Sequence, residues 1–306
     1  MATTNPITSG LPAYVEQHIA PLLTKTILGA KSAKMMNLLT GVKGPSALNI
    51  MNNDVILQDA SSCGWTESGS TDFSQRTLTP AYLKVNMAFC DKKMLKTWAQ
   101  HEVKIAAGLK DLPFEEEWTN DIAAQVSEKV EKMIYQGASG QTNEFEGLIS
   151  ILSAATGVIK VEKASGTSVY TALKEVYMNI PEEELGHEDC VILVGPAVFR
   201  QYVQDLVSAN LYFTNATDVE GEYKLPGTGV RVISVPGLAG TSGADYIIGG
   251  RLSNFYYATD LEGDEEKFDL FYSKDNQEFR LVIEFTAGVQ VAFCDRVVLG
   301  SIAKGE

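Results

Sequence analysis

Cysteine is scarce in this sequence, and its spacing does not suit a metal site or a disulfide framework. The four cysteines are Cys63, Cys90, Cys190 and Cys294. They are far apart and include no CxxC pair, whereas zinc ribbons and small disulfide-rich domains need closely spaced pairs. We therefore expect reduced thiols, which are typical of a cytoplasmic protein.

Long apolar runs are also missing. No stretch reaches the ~18 consecutive apolar residues that a membrane-spanning helix needs. The first residues, MATTNPITSG, lack the basic start and apolar stretch of a secretory signal. We therefore expect no membrane partner and folding in the cytoplasm.

The sequence also lacks the motifs that carry chemistry. There is no GxxxxGK[ST] phosphate loop, and the glycines at 227–229 lead into a predicted strand instead of a helix. The acidic stretch 260–271 has glycine at its fourth position, where a calcium loop needs it at the sixth, and Phe271 replaces the chelating glutamate. The three histidines, at 18, 101 and 187, are scattered. We expect no catalytic, cofactor-binding or metal-binding residue, and hence no enzyme.

The chain carries a large excess of negative charge. The formal net charge is −14 and the pI is near 4.7. Such a surface repels polyphosphate at long range, which argues against a dedicated nucleic-acid reader. It is compatible with a container that binds its contents weakly, and equally with a charge that only maintains solubility.

The strongest helical pattern covers residues 111–136. Its apolar side chains recur every three or four positions and form one stripe. We predict that this stripe packs against a core through Phe114, Trp118, Ile122, Val126 and Val130. Asp111 is suited to cap the helix and Gly137 to end it. At about 1.5 Å per residue the helix is roughly 35 Å long, which suits a structural beam.

A long hairpin is predicted before this helix. The stretches 54–61 and 76–91 are predicted to form its strands, while 42–53 is interpreted as a loop. In the second stretch, apolar and polar residues alternate from Leu83 to Phe89, as expected for a strand with one buried face. The polar tip carries two aromatic residues. We predict that it makes assembly contacts through Trp65, Glu67, Asp72 and Phe73.

The other segments complete an α+β layout. Residues 1–50 are interpreted as an arm of two short helices that need a partner surface. An α/β section follows from about 171 to 253, and several strands close the chain.

In this order, the segments resemble the major capsid proteins of tailed bacteriophages with the Hong Kong 97-type fold. The resemblance covers about residues 45 to 300, and no single motif in it is diagnostic. It rests on SEKVEKMIYQGASGQTNEFEGLISIL, TALKEVYMNIPEEEL, DCVILVGPAVFRQYVQDLVSAN, GVRVISVPGL through NFYYATDLEGD, and SKDNQEFRLVIEFTAGVQVAFCDRVV.

The resemblance implies a division of the chain into named parts. These are an N-terminal arm (1–50), an extended β-hairpin loop (51–92), a peripheral domain with a long spine helix (93–170), an inserted axial domain (171–253), further peripheral strands (254–294), and a C-terminal segment near the axial domain (295–306).

It also implies a function. The chain is expected to self-assemble into hexamers and pentamers of an icosahedral head that encloses double-stranded DNA without reading its sequence. Expected partners are further copies, a portal and decoration proteins. A separate scaffolding protein is expected too, because the arm begins at once and leaves no long scaffolding segment. The expected location is the virion capsid, assembled in the bacterial cytoplasm.

The founding member of this family links its subunits by a Lys–Asn isopeptide bond from the extended loop. Residues 61–75 contain no lysine, so the resemblance does not carry over that chemistry. Two alternatives to a phage head remain. One is an encapsulin-like compartment around enzyme cargo, and the other is an unrelated cytoplasmic α+β enzyme.

Overall fold

The computed structural model is a mixed α+β structure, as predicted, with two larger sheets and a separate hairpin. It describes residues 22, 26, 28–59, 61, 64, 65, 67–90, 114–138, 143–211, 222–260 and 267–304. The described helices are α1 Lys31–Met35, α2 Phe114–Gln136, α3 Leu148–Ala154, α4 Val169–Asn179, α5 Glu182–Leu185 and α6 Pro196–Ser208. The described strands are β1 Asn37–Leu39, β2 Ser46–Asp54, β3 Ser70–Leu78, β4 Ala81–Cys90, β5 Ile159–Lys163, β6 Cys190–Val194, β7 Glu222–Lys224, β8 Arg231–Ser234, β9 Ala244–Arg251, β10 Phe255–Thr259, β11 Lys267–Ser273, β12 Glu278–Val291 and β13 Val298–Ala303.

The five-stranded sheet is built around β12. Ala287 of β12 is opposite both Ala81 of β4 and Thr259 of β10, so β4 and β10 lie on opposite sides of β12. β11 shares the side of β10, and β1 extends the sheet by pairing in parallel with β10. Along the first half of β12, buried residues such as Leu281 and Ile283 alternate with partly exposed ones. This is the period-2 pattern of a strand with one face on a core.

The six-stranded sheet has the order β5-β13-β9-β6-β8-β7 and is covered on both faces. Its strand β6 is buried at every residue. Val191 and Leu193 join the core that contains α2, while Ile192 and Val194 join the core under α4 and α6. A continuous apolar run is what a strand with two covered faces requires.

Helix α2 packs between these sheets along the predicted stripe. Ile122, Val126 and Val130 are buried, and Trp118 is partly buried against the same core. The side chain of Phe114 lies outside the described part of the structure, as do residues 111–113. The core around α2 contains residues of both sheets, so the helix links them.

One close approach fixes the position of the 3₁₀ turn Pro236–Leu238 on α2. A Cβ on Gly237 would lie 2.3 Å from the carbonyl oxygen of Glu131 and 2.4 Å from the Tyr135 ring. Gln136 donates from Nε2 to the carbonyl oxygens of Gly237 and Ala239, at 2.6 and 2.8 Å. Only glycine fits at 237, because any side chain would push the turn off the helix.

The hairpin does not lie where the sequence pattern placed it. Its strands are β2 and β3, so residues 46–53 are strand instead of loop, and the predicted first strand at 54–61 is wrong beyond Asp54. Asparagines at 49, 52 and 53 suggested a turn. An exposed two-stranded ribbon tolerates them, since it has little apolar face to bury.

The predicted second strand is divided at Pro80. Residues before it form β3 of the hairpin, whereas those after it form β4, which pairs with β12 of the five-stranded sheet. Proline has no N–H to donate and so interrupts a strand. The predicted alternation in β4 is present at Leu83, which is buried, and at Val85, which is half-buried, but Met87 is exposed.

Two predicted boundaries cut through elements of the structure. The boundary at residue 50 falls inside β2. The boundary at residue 170 separates β5 from the six-stranded sheet, although β5 pairs in parallel with β13 in that sheet. Strands that are far apart in the sequence pair in the same sheet, and the composition of the chain does not reveal such pairs. Residues 1–21, most of the predicted arm, lie outside the described residues.

Candidate assembly surfaces

The hairpin β2–β3 and its loop expose a set of large apolar side chains. Leu57 is 94% exposed and Trp65 86% exposed. Met51 and Phe73 are also exposed and lie opposite each other in the register of the two strands. Among the described residues of this segment, the exposed large apolar side chains are Met51, Val55, Ile56, Leu57, Trp65 and Phe73. Exposed apolar clusters of this kind mark interaction surfaces.

The predicted hairpin contacts are distributed over the loop and β3. Trp65 and Glu67 lie in the loop, and Asp72 and Phe73 lie on β3 with neighbouring side chains on opposite faces. All four are exposed. The apolar run Val55–Leu57 was missed as a contact surface, because it was interpreted as part of the first hairpin strand. Three consecutive apolar residues before a polar tip are the signal that points to it.

The base of the hairpin is anchored, in contrast to its distal part. Ile50 and Leu78 are buried. Gln290 of β12 donates from Nε2 to the carbonyl oxygen of Thr77 at 2.7 Å, and Arg76 donates to Sγ of Cys294. A two-stranded hairpin alone is at best marginally stable in water. The five-stranded sheet therefore stabilises the base of the hairpin, while the apolar side chains of its distal part are accessible to a partner.

A buried polar cluster attaches α1 to the long helix α2. The backbone N–H of Ser32 donates to Oε2 of Glu131 at 2.9 Å, and its hydroxyl donates to Oε1 at 2.6 Å. The Ser32 and Tyr135 hydroxyl oxygens are 2.7 Å apart. Burial, together with the Glu131 carboxylate, raises the pKa of Tyr135 far above its ordinary value, so the phenol stays neutral. Sequence reasoning missed this cluster because Ser32 is 99 positions from Glu131 and 103 from Tyr135.

A second polar cluster lies where the chain passes between the two sheets. Glu184 is almost fully buried and faces two arginines: its Oε1 accepts from Arg296 at 3.2 Å, and its Oε2 lies 3.7 Å from Nε of Arg251. Arg251 is also 3.0 Å from Asp189. Burial alone raises the pKa of Asp189, but hydrogen bonds from Ser253 and Arg251 hold it below its ordinary value.

Asn254 links the segment between β9 and β10 to the segment between β12 and β13. It donates from Nδ2 to the carbonyl oxygen of Phe293 at 2.7 Å, and its Oδ1 accepts from the Phe293 N–H at 2.7 Å. The guanidinium of Arg296 lies 4.5 Å from the Phe293 ring centroid, within the range of a cation–π contact. In both segments the chain passes from one sheet to the other, and these contacts hold the two segments next to each other.

Within the described ranges, no group of three or more histidine, cysteine or acidic residues is placed to hold a metal ion. Burial, with the charges of Glu184 and Asp189, raises the pKa of Cys190 to about 11. A thiol protonated at neutral pH is a poor nucleophile. Over the same residues, no helix is long and apolar enough to cross a membrane.

No known family model matches the sequence, and no curated protein matches it. Solved structures do match. A chain of the satellite phage P4 procapsid, a structure that includes the size determination (Sid) protein, has a TM-score of 0.64 and 12% identity over 96% of each chain. Gordonia phage Cozz gives 0.59 and 13% identity, over 90% of this chain and 87% of the other. The SrpI encapsulin of Synechococcus elongatus gives 0.54 and 12% identity, over 87% and 85%.

These matches extend along nearly the whole chain, so they compare complete subunits instead of one shared motif. At such low identity they establish the architecture alone. The chain has the fold of the shell subunits of phage capsids and encapsulins.

Proposed function

We propose that this protein is the major capsid protein of a tailed bacteriophage. Its copies form the hexamers and pentamers of an icosahedral head that encloses double-stranded DNA. The observation that carries the proposal is the shared fold over 96% of both chains with the phage P4 procapsid chain. In this assignment α2 is the spine helix, the β2–β3 hairpin is the extended loop, and the six-stranded sheet is the core of the axial domain.

The exposed hairpin supplies a physical reason for assembly. An aromatic side chain such as Trp65 or Phe73 covers on the order of 150–250 Å² when it is buried. Burying apolar area stabilises a contact by roughly 25 cal/mol per Å². A neighbouring subunit that covers the hairpin gains this term at each of many equivalent contacts.

The proposed role is structural and not enzymatic. The further partners are a separate scaffolding protein, a portal and possible decoration proteins, and the packaged DNA is bound without sequence specificity. We place assembly in the host cytoplasm and the mature protein in the virion. The net charge of −14 suits a wall that binds its DNA weakly.

The proposal is tested by expressing the chain alone and together with a candidate scaffolding protein. We expect closed particles by negative-stain electron microscopy and a sedimentation species far above the 33.2 kDa subunit. A stable monomer under both conditions, at micromolar protein concentration, would count decisively against a capsid role.

A second candidate is an encapsulin-like compartment, which the match to the SrpI encapsulin favours. The two functions differ in content. Particles purified from the native source contain DNA and a portal if the chain forms a phage head, whereas they contain an enzyme cargo and no genome if it forms a compartment.

A further inference from the structure

The two faces of the hairpin β2–β3 differ in their surroundings. Side chains alternate between the faces along each strand, and residues that are opposite each other in the register share a face. One face carries Ile50 and Leu78, which are buried, and Leu48 and Arg76, which are half-buried. At the base of the hairpin this face therefore packs against the body of the subunit, and the other face points away from it.

The outward face carries no charged residue, and we call it the neutral face. It consists of four cross-strand pairs, and all eight of its residues are exposed. The pairs, from the base of the hairpin towards its tip, are Ala47–Thr77, Asn49–Gln75, Met51–Phe73 and Asn53–Thr71. By contrast, the other face carries Asp54, Asp72 and Arg76, and the chain as a whole has a net charge of −14.

The order of the pairs on the neutral face is symmetric in character. The apolar pair Met51–Phe73 has a polar pair on either side. On the side of the base, Gln75 donates from Nε2 to Oδ1 of Asn49 at 2.8 Å. Amide and hydroxyl side chains both donate and accept hydrogen bonds, so each polar pair is able to bind a second polar pair.

We propose that the neutral face packs against the neutral face of a second copy. A contact of one surface with itself closes about a twofold axis. The axis lies between the two faces, at right angles to the strands, at the level of the Met51–Phe73 pairs. The strands of the two hairpins then run in opposite directions, which places the two subunit bodies at opposite ends. The proposal rests on the proposed function, because it names the partner of the exposed hairpin.

This arrangement matches like with like. The apolar pair of one copy covers the apolar pair of the other, since both are at the level of the axis. The polar pair nearer the base of one copy meets the polar pair nearer the tip of the other. Because the axis is at right angles to the strands, β3 faces β3, and Gln75 of one copy meets Thr71 of the second.

The absence of charge on this face favours a second copy as its occupant. Two chains that each carry −14 repel each other at long range, and a contact through uncharged side chains adds no like charges at close range. The contact involves eight residues of each copy, fewer than the roughly 20–30 per side of a stable interface. It is therefore weak between free subunits and forms where other contacts of the shell hold the copies together.

The test places charges on the neutral face at low ionic strength. Thr71→Lys with Gln75→Lys sets lysine against lysine at both positions of the contact, so we expect the yield of closed particles to fall by about tenfold or more. Thr71→Glu with Gln75→Lys sets glutamate against lysine at the same positions, and we expect a yield within about twofold of wild type. Within one copy the two residues are four positions apart on a strand, or ~13 Å, so their own charges interact little.

The matched control is Ser70→Lys with Ser74→Lys. These serines are exposed and precede Thr71 and Gln75 on the same strand, so their side chains lie on the other face. The control adds the same two positive charges and should assemble within about twofold of wild type. Melting temperatures of all three variants verify that each is folded.

The outcomes separate this contact from the capsid role. If the folded variant with lysines at 71 and 75 assembles like wild type, the contact is refuted while the capsid role stands. If the control loses assembly to the same extent, the neutral face has no special part and the proposal is wrong. If glutamate with lysine fails to restore assembly, the face binds a different surface and our choice of occupant is wrong. If wild type never assembles, the capsid role fails and this contact fails with it.

Discussion

The carboxylate of Glu131 shows how a single buried residue holds a distant segment in place. It accepts two hydrogen bonds from Ser32, which lies in α1. Burying a charge is costly unless hydrogen bonds compensate, so these bonds tie the position of α1 to the stability of α2. Lys31 adds a further link by donating to the carbonyl oxygen of Ser234 at 3.0 Å.

We predict that Glu131→Ala lowers the free energy of unfolding by ~1–3 kcal/mol, because it leaves the Ser32 N–H buried without an acceptor. Glu128→Ala, an exposed position on the same helix, should change it by less than about 0.5 kcal/mol. Urea unfolding followed by circular dichroism checks both. Equal midpoints for the two variants would contradict the role given to Glu131.

Asp189 gives the connection between the sheets a dependence on pH. Its pKa is held below the ordinary value in the folded chain. A depressed acid pKa adds stability above the unfolded-state value of ~3.9, and this stability is lost as pH falls through the folded pKa.

We therefore predict that Asp189→Asn is less stable than wild type at pH 7, and that the difference shrinks below about pH 4. Melting temperatures measured from pH 3 to pH 7 test this. A difference that stays constant over that range would show that the Asp189 charge makes no contribution.

At the scale of elements, the long helix was predictable because its apolar period is 3.6 and local. Ile122, Val126 and Val130 are buried as that period requires. The hairpin was misplaced because its first strand is polar and gains its order from pairing with β3. The sequence pattern also does not reveal the polar cluster of Ser32, Glu131 and Tyr135, since its residues come from α1 and α2. Such clusters depend on tertiary packing and not on local propensity.

The two faces of α2 give an element-scale prediction. Ile122→Asp places a charge in the core, where burial without a partner costs several kcal/mol. Gln125 is exposed and donates to Asp121 at 2.8 Å, so Gln125→Asp adds only a like-charge pair of ~0.2–0.5 kcal/mol. We expect the first variant to lose most soluble folded protein and the second to keep it. Equal yields would show that the faces are misassigned.

At the scale of the whole molecule, the buried core and the exposed apolar side chains lie in different parts of the chain. The two sheets and α2 bury a large core, and the clusters around Glu131 and Glu184 fix the attached segments. The distal hairpin, by contrast, presents apolar side chains to solvent. A subunit that folds alone but leaves such a surface open is suited to gain its remaining stability from neighbours.

This separation predicts that the hairpin tip is needed for assembly but not for folding. Asp54 and Ser70 are the last paired residues of β2 and β3, so an Asn-Gly turn can replace residues 55–69, as two-residue hairpins prefer. The shortened chain keeps the buried anchors Ile50 and Leu78. We expect its melting temperature to stay close to wild type while the yield of closed particles falls sharply, because Leu57 and Trp65 are gone.

Alanine at Asp54 and Ser70, within an otherwise intact hairpin, provides the control and should leave assembly unchanged. Electron microscopy and sedimentation of both variants measure the effect. If the shortened chain forms particles of normal yield and heat resistance, the exposed tip contributes nothing to the shell, and the contacts that hold it must lie on other surfaces of the subunit.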